Sequence, residues 1–316
     1  MISVEDIRER ILHYLDPEVR EVFDIGYYLI SSGGKGVRPL LTLVVCEALG
    51  GDTERAIPLA VGIEYVHIAS LLHDDVVDGA QTRRGKRSAN LVFGNQACVL
   101  AGDYMYAKAL SLYSQYGTLQ SIEVLSDAVM KMSQGQLLEL RSLGKIIDEN
   151  TYIKIIDYKT GALFGACMAV GALMAGRKDY WNFYHIGMLA GRAFQLIDDA
   201  LDYYGKEEKL GKPTGSDLAE GKCTYPLISV LDGLTEDKKN LFYNGGYETY
   251  LQQGDWDKAI DVLNSITQEQ IESLDLETAK ECFRILDHLI KEGEQIRNKM
   301  AENLVNFRRF KEGYNL

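Results

Sequence analysis

The chain has 316 residues, 46% of them hydrophobic, which is enough for one large domain or two ordinary ones. Its formal net charge of -12 leaves no basic face of the kind general nucleic-acid binding needs, so nucleic acid is excluded as a partner. Cys46, Cys98, Cys167, Cys223 and Cys282 lie far apart with no C-x-x-C pair, which excludes a disulfide framework and a cysteine-rich zinc site.

The opening MISVEDIRERILHYL is charged and amphipathic, unlike a signal peptide, and no run approaches the roughly 18 apolar residues of a membrane span. With free thiols suited to a reducing compartment, the expectation is a soluble, cytoplasmic protein without a transmembrane segment.

No proline occurs between Pro58 and Pro213, and period-2 alternation of β-branched residues is absent throughout. Proline breaks helix interiors, so the pattern predicts an all-α chain. In chain order, helices are predicted near 4–15, 18–31, 40–49, 54–78, 94–116, 119–142, 149–175, 179–205 and 217–231. Thr53 and Asp148 are the expected N-caps of two of them, and Pro39 fits a first helical turn. Loops are expected at SSGGKGVRP (31–39), GAQTRRGKRSAN (79–90) and GKEEKLGKPTGSD (205–217), and the more polar tail from about 230 reads as peripheral helices. No linker or internal repeat divides the chain, so 1–316 reads as a single domain.

LLHDDVVDG (71–79) ends an apolar helical segment with Asp74, Asp75 and Asp78. Like charges a turn apart repel, and acids at a helix C-terminus oppose its dipole, so the cluster calls for a cation. FQLIDDALDYYG (194–205) repeats the DDxxD spacing with Asp198, Asp199 and Asp202, again before a glycine-containing loop. The spacing puts the first and last carboxylate of each motif on one helix face. Magnesium suits such a set, because it takes one or two carboxylates while phosphate oxygens and water complete its shell. A phosphorylated substrate held between the two clusters is therefore implied.

Basic groups flank both clusters. Lys35 and Arg38 sit on the glycine-rich SSGGKGVRP loop, where backbone N–H groups can approach an anion. His67 lies about two turns before Asp74, and Arg83 and Arg84 follow Asp78; adjacent arginines can face two separate anions. DYKTGALFGA sets Lys159 and Thr160 within a small-residue helix. Gln195 precedes the second cluster, and Lys212 and Lys222 follow it.

These motifs together resemble the trans-polyprenyl diphosphate synthases (isoprenyl diphosphate synthases of the farnesyl, geranylgeranyl and octaprenyl type). The resemblance runs through GGKGVRP (33–39), His67 to Asp78, RRG (83–85), KTGALF (159–164), FQLIDDALD (194–202) and GKPTGSDLAEGKCTYPL (211–227). It implies a bundle of long helices around a central cavity, the isoprenoid synthase fold. It further implies two or three Mg²⁺ ions held by Asp74, Asp75, Asp78, Asp198, Asp199 and Asp202. Arg83, Lys159, Thr160, Gln195 and Lys212 would contact an allylic diphosphate, with Lys159 and the aspartates catalytic. Lys35, Arg38, His67 and Arg84 would hold isopentenyl diphosphate, and Lys222 fits either side. One position departs from the pattern: Gly36 stands where relatives often carry a basic residue.

Through the same resemblance, the residues four and five positions before Asp74 limit product length. They are Ser70 and Ala69, both small, and no insertion interrupts Asp74–Asp78, so a product beyond C20 is implied. The tunnel floor would lie deeper, near Leu125, Val129 and Met132. A geranylgeranyl or farnesyl diphosphate synthase is the short-chain alternative. Homodimerisation is implied, with the 94–116 helix as the expected face. A helical phosphohydrolase built on His73-Asp74 would need His ligation of a transition metal. A terpene cyclase does not match FQLIDDALD, and a regulatory subunit would lack one of the two motifs.

Overall fold

The longest apolar helix organises the protein. In the computed structural model, which describes residues 4–15, 17–33, 36–204, 217 and 220–230, the elements in order are α1 (Val4–Tyr14), α2 (Arg20–Ser31), α3 (Val37–Ala48) and α4 (Thr53–Val77). A small hairpin follows, β1 (Thr82–Arg83) and β2 (Lys86–Arg87), then α5 (Ala89–Phe93), α6 (Asn95–Tyr116) and α7 (Leu119–Ser142). Next come α8 (Glu149–Ile156), a π turn (Asp157–Gly161), α9 (Ala162–Met174), α10 (Tyr180–Tyr204) and α11 (Tyr225–Val230). The all-α expectation holds, with the hairpin as its one departure among the described residues.

The chain divides into two compact units, 1–134 with 158–191 and 135–157 with 192–316. In the first, α4 packs against α1, α3, α6 and α9. Leu59, Ala60, Val61, Ile63, Tyr65, Ala69 and Leu72 are each fully enclosed, which explains why α4 is apolar nearly all round. By length and composition α4 could cross a membrane, contrary to the sequence expectation that no run qualifies; 72% of that stretch is buried inside the protein. Packing against the surrounding helices uses the apolar surface that makes α4 long and apolar enough for a span.

One of the two expected caps differs. Asp52, not Thr53, caps α4, its carboxylate accepting from the Glu54 N–H at 3.1 Å. Asp148 caps α8 as expected, accepting from Thr151 N–H at 2.7 Å. α3 begins earlier than predicted, at Val37, with Pro39 in its first turn where a missing N–H costs nothing. The predicted 149–175 helix is continuous from Glu149 to Met174 but contains a π turn at Asp157–Gly161.

In the second unit, Tyr152, Ile156, Leu196 and Tyr225 form a core, with Ile147, Ile153 and Ile228 against it. This cluster joins α8, α10 and α11.

Candidate active site

The first aspartate cluster caps α4. Asp74 is half-buried in the last turn, and Asp78 is the exposed C-cap. Asp75 points inward and is 0% exposed; Arg83 Nε donates to its Oδ1 at 2.6 Å. Its Oδ2 has no hydrogen-bond partner. The three carboxylates therefore divide into an accessible pair on one face and a buried, cation-paired one.

The hairpin accounts for the two arginines. Arg84 and Gly85 form its tip with φ of 52° and 74°, the pair of positive values that a type I′ turn requires. Arg84 is the sole described non-glycine residue with positive φ. Arg83, at the end of β1, pairs with Asp75, while Arg84, at the turn, lines a pocket with Glu64, His67, Gly33 and Gly36. The pocket wall is apolar, built from Ile11, Leu29 and Ile68. Arg38 lies beside it, its guanidinium 5.0 Å over the Phe164 ring and its Nε buried without a partner. Burial holds His67 well below the ordinary imidazole range, and Arg38, Arg84 and Arg83 push it the same way. The ring is thus neutral near pH 7 and keeps one N–H to donate. Burial raises the Glu64 carboxyl, while Arg38 and Arg84 pull it down.

His73, the residue a His-metal hydrolase would need, is turned elsewhere. Its Nε2 lies 3.0 Å from the Val99 carbonyl and 3.6 Å from Asp103, packed over Gly102 on α6.

The second cluster lies in the last two turns of α10. Asp198 is exposed, Asp199 is 5% exposed and Asp202 is 0% exposed. Asp199 is gripped from both sides: Tyr152 Oη donates to Oδ2 at 2.7 Å, and Gln195 Nε2 donates to Oδ1 at 2.8 Å. Asp202 Oδ2 accepts the Asp217 backbone N–H at 2.9 Å. Burial, reinforced by Asp217, raises the Asp199 carboxyl well above the usual carboxylate range. Lys222 bonds Glu220 at 2.6 Å and approaches Asp217 at 4.0 Å. Although burial works against its charge, Glu139, Asp217 and Glu220 together raise its pKa.

Lys159 and Thr160 sit in the π turn, Thr160 buried and Lys159 half-buried. Such turns are frequent at functional sites because they re-aim side chains within a helix. Close packing fixes this one: a Cβ on Gly161 would come 3.0 Å from the Met188 carbonyl of α10, and one on Gly191 would come 2.7 Å from the Gly161 Cα. Ala69 is fully buried, and the Ser70 hydroxyl is used up on the His67 carbonyl at 2.8 Å. Leu125 and Met132 of α7 are buried and Val129 half-buried. Lys35 and Lys212 lie outside the described residues.

Sequence reading missed Glu64, Tyr152 and Arg8, the last of which also lines the arginine pocket. Glu64 did leave a signal, as a lone acid inside the apolar run IPLAVGIEYVHIASLL. Tyr152 left none, since only the fold brings it to Asp199.

Among the described residues, no three His, Cys, Asp or Glu side chains gather into a closed metal cage. Asp74 and Asp78 instead offer two carboxylates a turn apart at an open helix end. That donor set fits Mg²⁺, whose remaining positions go to phosphate oxygens and water.

Comparison with known proteins gives the site its family. The polyprenyl synthetase family model matches residues 19–263. The chain is similar to octaprenyl diphosphate synthase of Escherichia coli, at 38% identity over 78% of this chain and 76% of the relative. It is 34% identical to geranylgeranyl diphosphate synthase of Sulfolobus acidocaldarius, over 75% of each. Its structure resembles the Caulobacter crescentus polyprenyl synthase solved with calcium and isoprenyl diphosphate, with a TM-score of 0.78, 30% identity and coverage of 90% and 93%. With two DDxxD helix ends and an arginine-histidine pocket, and with matches that span most of its length, the chain belongs to the polyprenyl synthetase family.

Proposed function

We propose that this prenyltransferase condenses isopentenyl diphosphate head-to-tail with an allylic diphosphate, giving an all-trans polyprenyl diphosphate longer than C20. The observation that carries the reading is on α4: its middle lines an arginine-histidine pocket with an apolar wall, and its end presents Asp74 and Asp78. One helix thus serves an anion with a hydrocarbon tail and, two turns on, a metal-bound anion.

Asp74, Asp78 and Asp198 would hold Mg²⁺, two or three ions in all, with Asp75, Asp199 and Asp202 behind them. The metal, when bound, withdraws charge from the departing allylic diphosphate. Lys159, Thr160, Gln195, Lys212 and Arg83 orient that diphosphate and stabilise the charge it gains as the C–O bond ionises. Arg38, Arg84, Lys35 and neutral His67 hold the isopentenyl diphosphate so that its double bond faces the allylic cation. The proton lost afterwards goes to the diphosphate released. Lys222, held by Glu220, braces the segment beside the second cluster.

The small side chains at positions 69 and 70, an alanine and a serine tied to its own helix, support a path for a long tail better than bulky residues would. The name of the Escherichia coli relative supports the same length. A C20 product is the second reading, favoured by the name of the Sulfolobus relative. We read the chain as one synthase domain that works as a homodimer. Leu91, Val92, Val99, Leu100 and Leu110 are exposed on α5 and α6, an apolar face suited to a second copy. Cys46, Cys98, Cys167 and Cys223 are free thiols, as suits the cytoplasm.

The test is incubation of the purified chain with isopentenyl diphosphate, Mg²⁺ and allylic primers from C5 to C20, with product length read by mass spectrometry. A ladder ending beyond C20 supports the proposal. A stop at C15 or C20 keeps the chemistry and overturns the length, and no condensation overturns the reading.

A further inference from the structure

The arginine pocket has a wall that no synthase motif supplies. Ile7, Arg8 and Ile11 of α1 line it together with Arg84, Glu64 and His67. α1 is fixed there. Ile7, Ile11 and Leu15 are buried, and Tyr65 Oη of α4 donates to the Ile11 carbonyl at 2.6 Å in a buried hydrogen bond. Arg8 lies one turn before that anchor, so the contact that fixes α1 also fixes the position from which Arg8 joins the pocket lining.

The charges call for this group. Glu64 is the one carboxylate among the described lining residues, and no aspartate of either cluster lines the pocket. A diphosphate bound here has no carboxylate-held metal to offset its several negative charges, so side chains must do so. Arg38 and Arg84 face Glu64, which cancels part of their charge. Arg8 also acts on Arg84 as a like charge, which puts two cations on one pocket lining, an arrangement that suits an anion.

We propose that Arg8, carried by α1, is a third arginine of the isopentenyl diphosphate pocket and binds the diphosphate directly. This assignment rests on the function proposed above. It makes α1 part of the binding site, although that helix lies outside both the motif span and the family match.

The test uses the full chain and its Arg8→Gln and Arg8→Lys variants. Binding of isopentenyl diphosphate alone in EDTA, where no reaction occurs, is measured by calorimetry, and KM is measured separately for isopentenyl diphosphate and the allylic primer. Arg8→Gln should weaken isopentenyl diphosphate roughly tenfold in both measurements, as expected for one charge-assisted contact. Arg8→Lys should recover part of the loss, and the allylic KM should stay within about twofold. Unchanged affinity in Arg8→Gln, with wild type active, overturns the Arg8 assignment alone. Equal losses on both substrates together with a lower melting temperature make Arg8 structural and also overturn it. A wild-type chain that neither condenses nor binds isopentenyl diphosphate overturns the assignment together with the functional reading.

Discussion

The two aspartate clusters read alike in sequence yet are built differently. On α4 the middle carboxylate, Asp75, is buried against a cation, Arg83 at 2.6 Å. On α10 the equivalent Asp199 is buried between neutral donors, Tyr152 and Gln195, and Asp202 takes a backbone N–H. The carboxylates left toward solvent are Asp74 and Asp78 in one motif and Asp198 in the other. DDxxD is thus less a row of three equivalent ligands than an exposed face braced from behind, ionically in one unit and by dipoles in the other. The cation offsets part of the negative charge of the first cluster, whereas at the second burial, reinforced by Asp217, raises the Asp199 carboxyl well above the usual range.

The largest expected effect tests the exposed face. Asp198→Ala and Asp74→Ala should each lower kcat by roughly a thousandfold or more. The Asp198 variant should melt as wild type does, because that side chain is exposed. Steady-state incorporation of isopentenyl diphosphate and a thermal melt read both, and wild-type turnover in either variant would break the division between face and brace.

Asp75→Asn should behave otherwise. Removing the charge opposite a largely buried Arg83 should cost about 3 kcal/mol of stability as well as activity, read by urea unfolding. If stability were unchanged, the ionic brace would be ornamental.

Tyr152→Phe removes one neutral donor and no charge. It should cost about 1 kcal/mol of stability and raise the Mg²⁺ concentration for half-maximal activity by roughly tenfold, as loss of a hydrogen bond that supports a metal face from behind does. An unchanged magnesium requirement would mean that Asp199 takes no part in holding the metal face.

The smallest effect concerns the cationic surroundings of the first unit. His67, on α4, is faced by Arg38 from α3 and by Arg83 and Arg84 from the hairpin, with Glu64 on its own helix. Its folded pKa lies well below the unfolded value of about 6.5, so the unfolded chain binds the extra proton first. Its contribution to stability is therefore complete above pH 6.5 and falls as the pH drops toward the folded pKa, at most about 1.4 kcal/mol per pH unit. His67→Asn should flatten that slope in unfolding curves taken between pH 7 and 5, and an unaltered slope would place the titration elsewhere.

Much of this was legible without coordinates, for physical reasons. Helices as long as α4, α6 and α7 are announced by apolar residues at helical spacing and by missing prolines, and their ends fell within a residue or two of expectation. The short hairpin was hidden because its turn depends on Arg84 accepting a positive φ, which the residue type disfavours. The π turn at Lys159 was hidden because a one-residue bulge barely disturbs helical periodicity. The cap at Asp52 instead of Thr53 was a choice between two good neighbouring capping residues.

The sequence by itself determined the helical class, the two carboxylate clusters and the basic groups around them. Those depend on residue type and on spacing along one element, which folding does not alter. Only the tertiary structure decided which carboxylates face outward, that Tyr152 holds Asp199, and that Arg8 stands at the pocket of Arg84 and His67. Each of these joins residues far apart in the chain. They meet because side-chain packing fixes how one helix crosses another, and no local pattern carries that information.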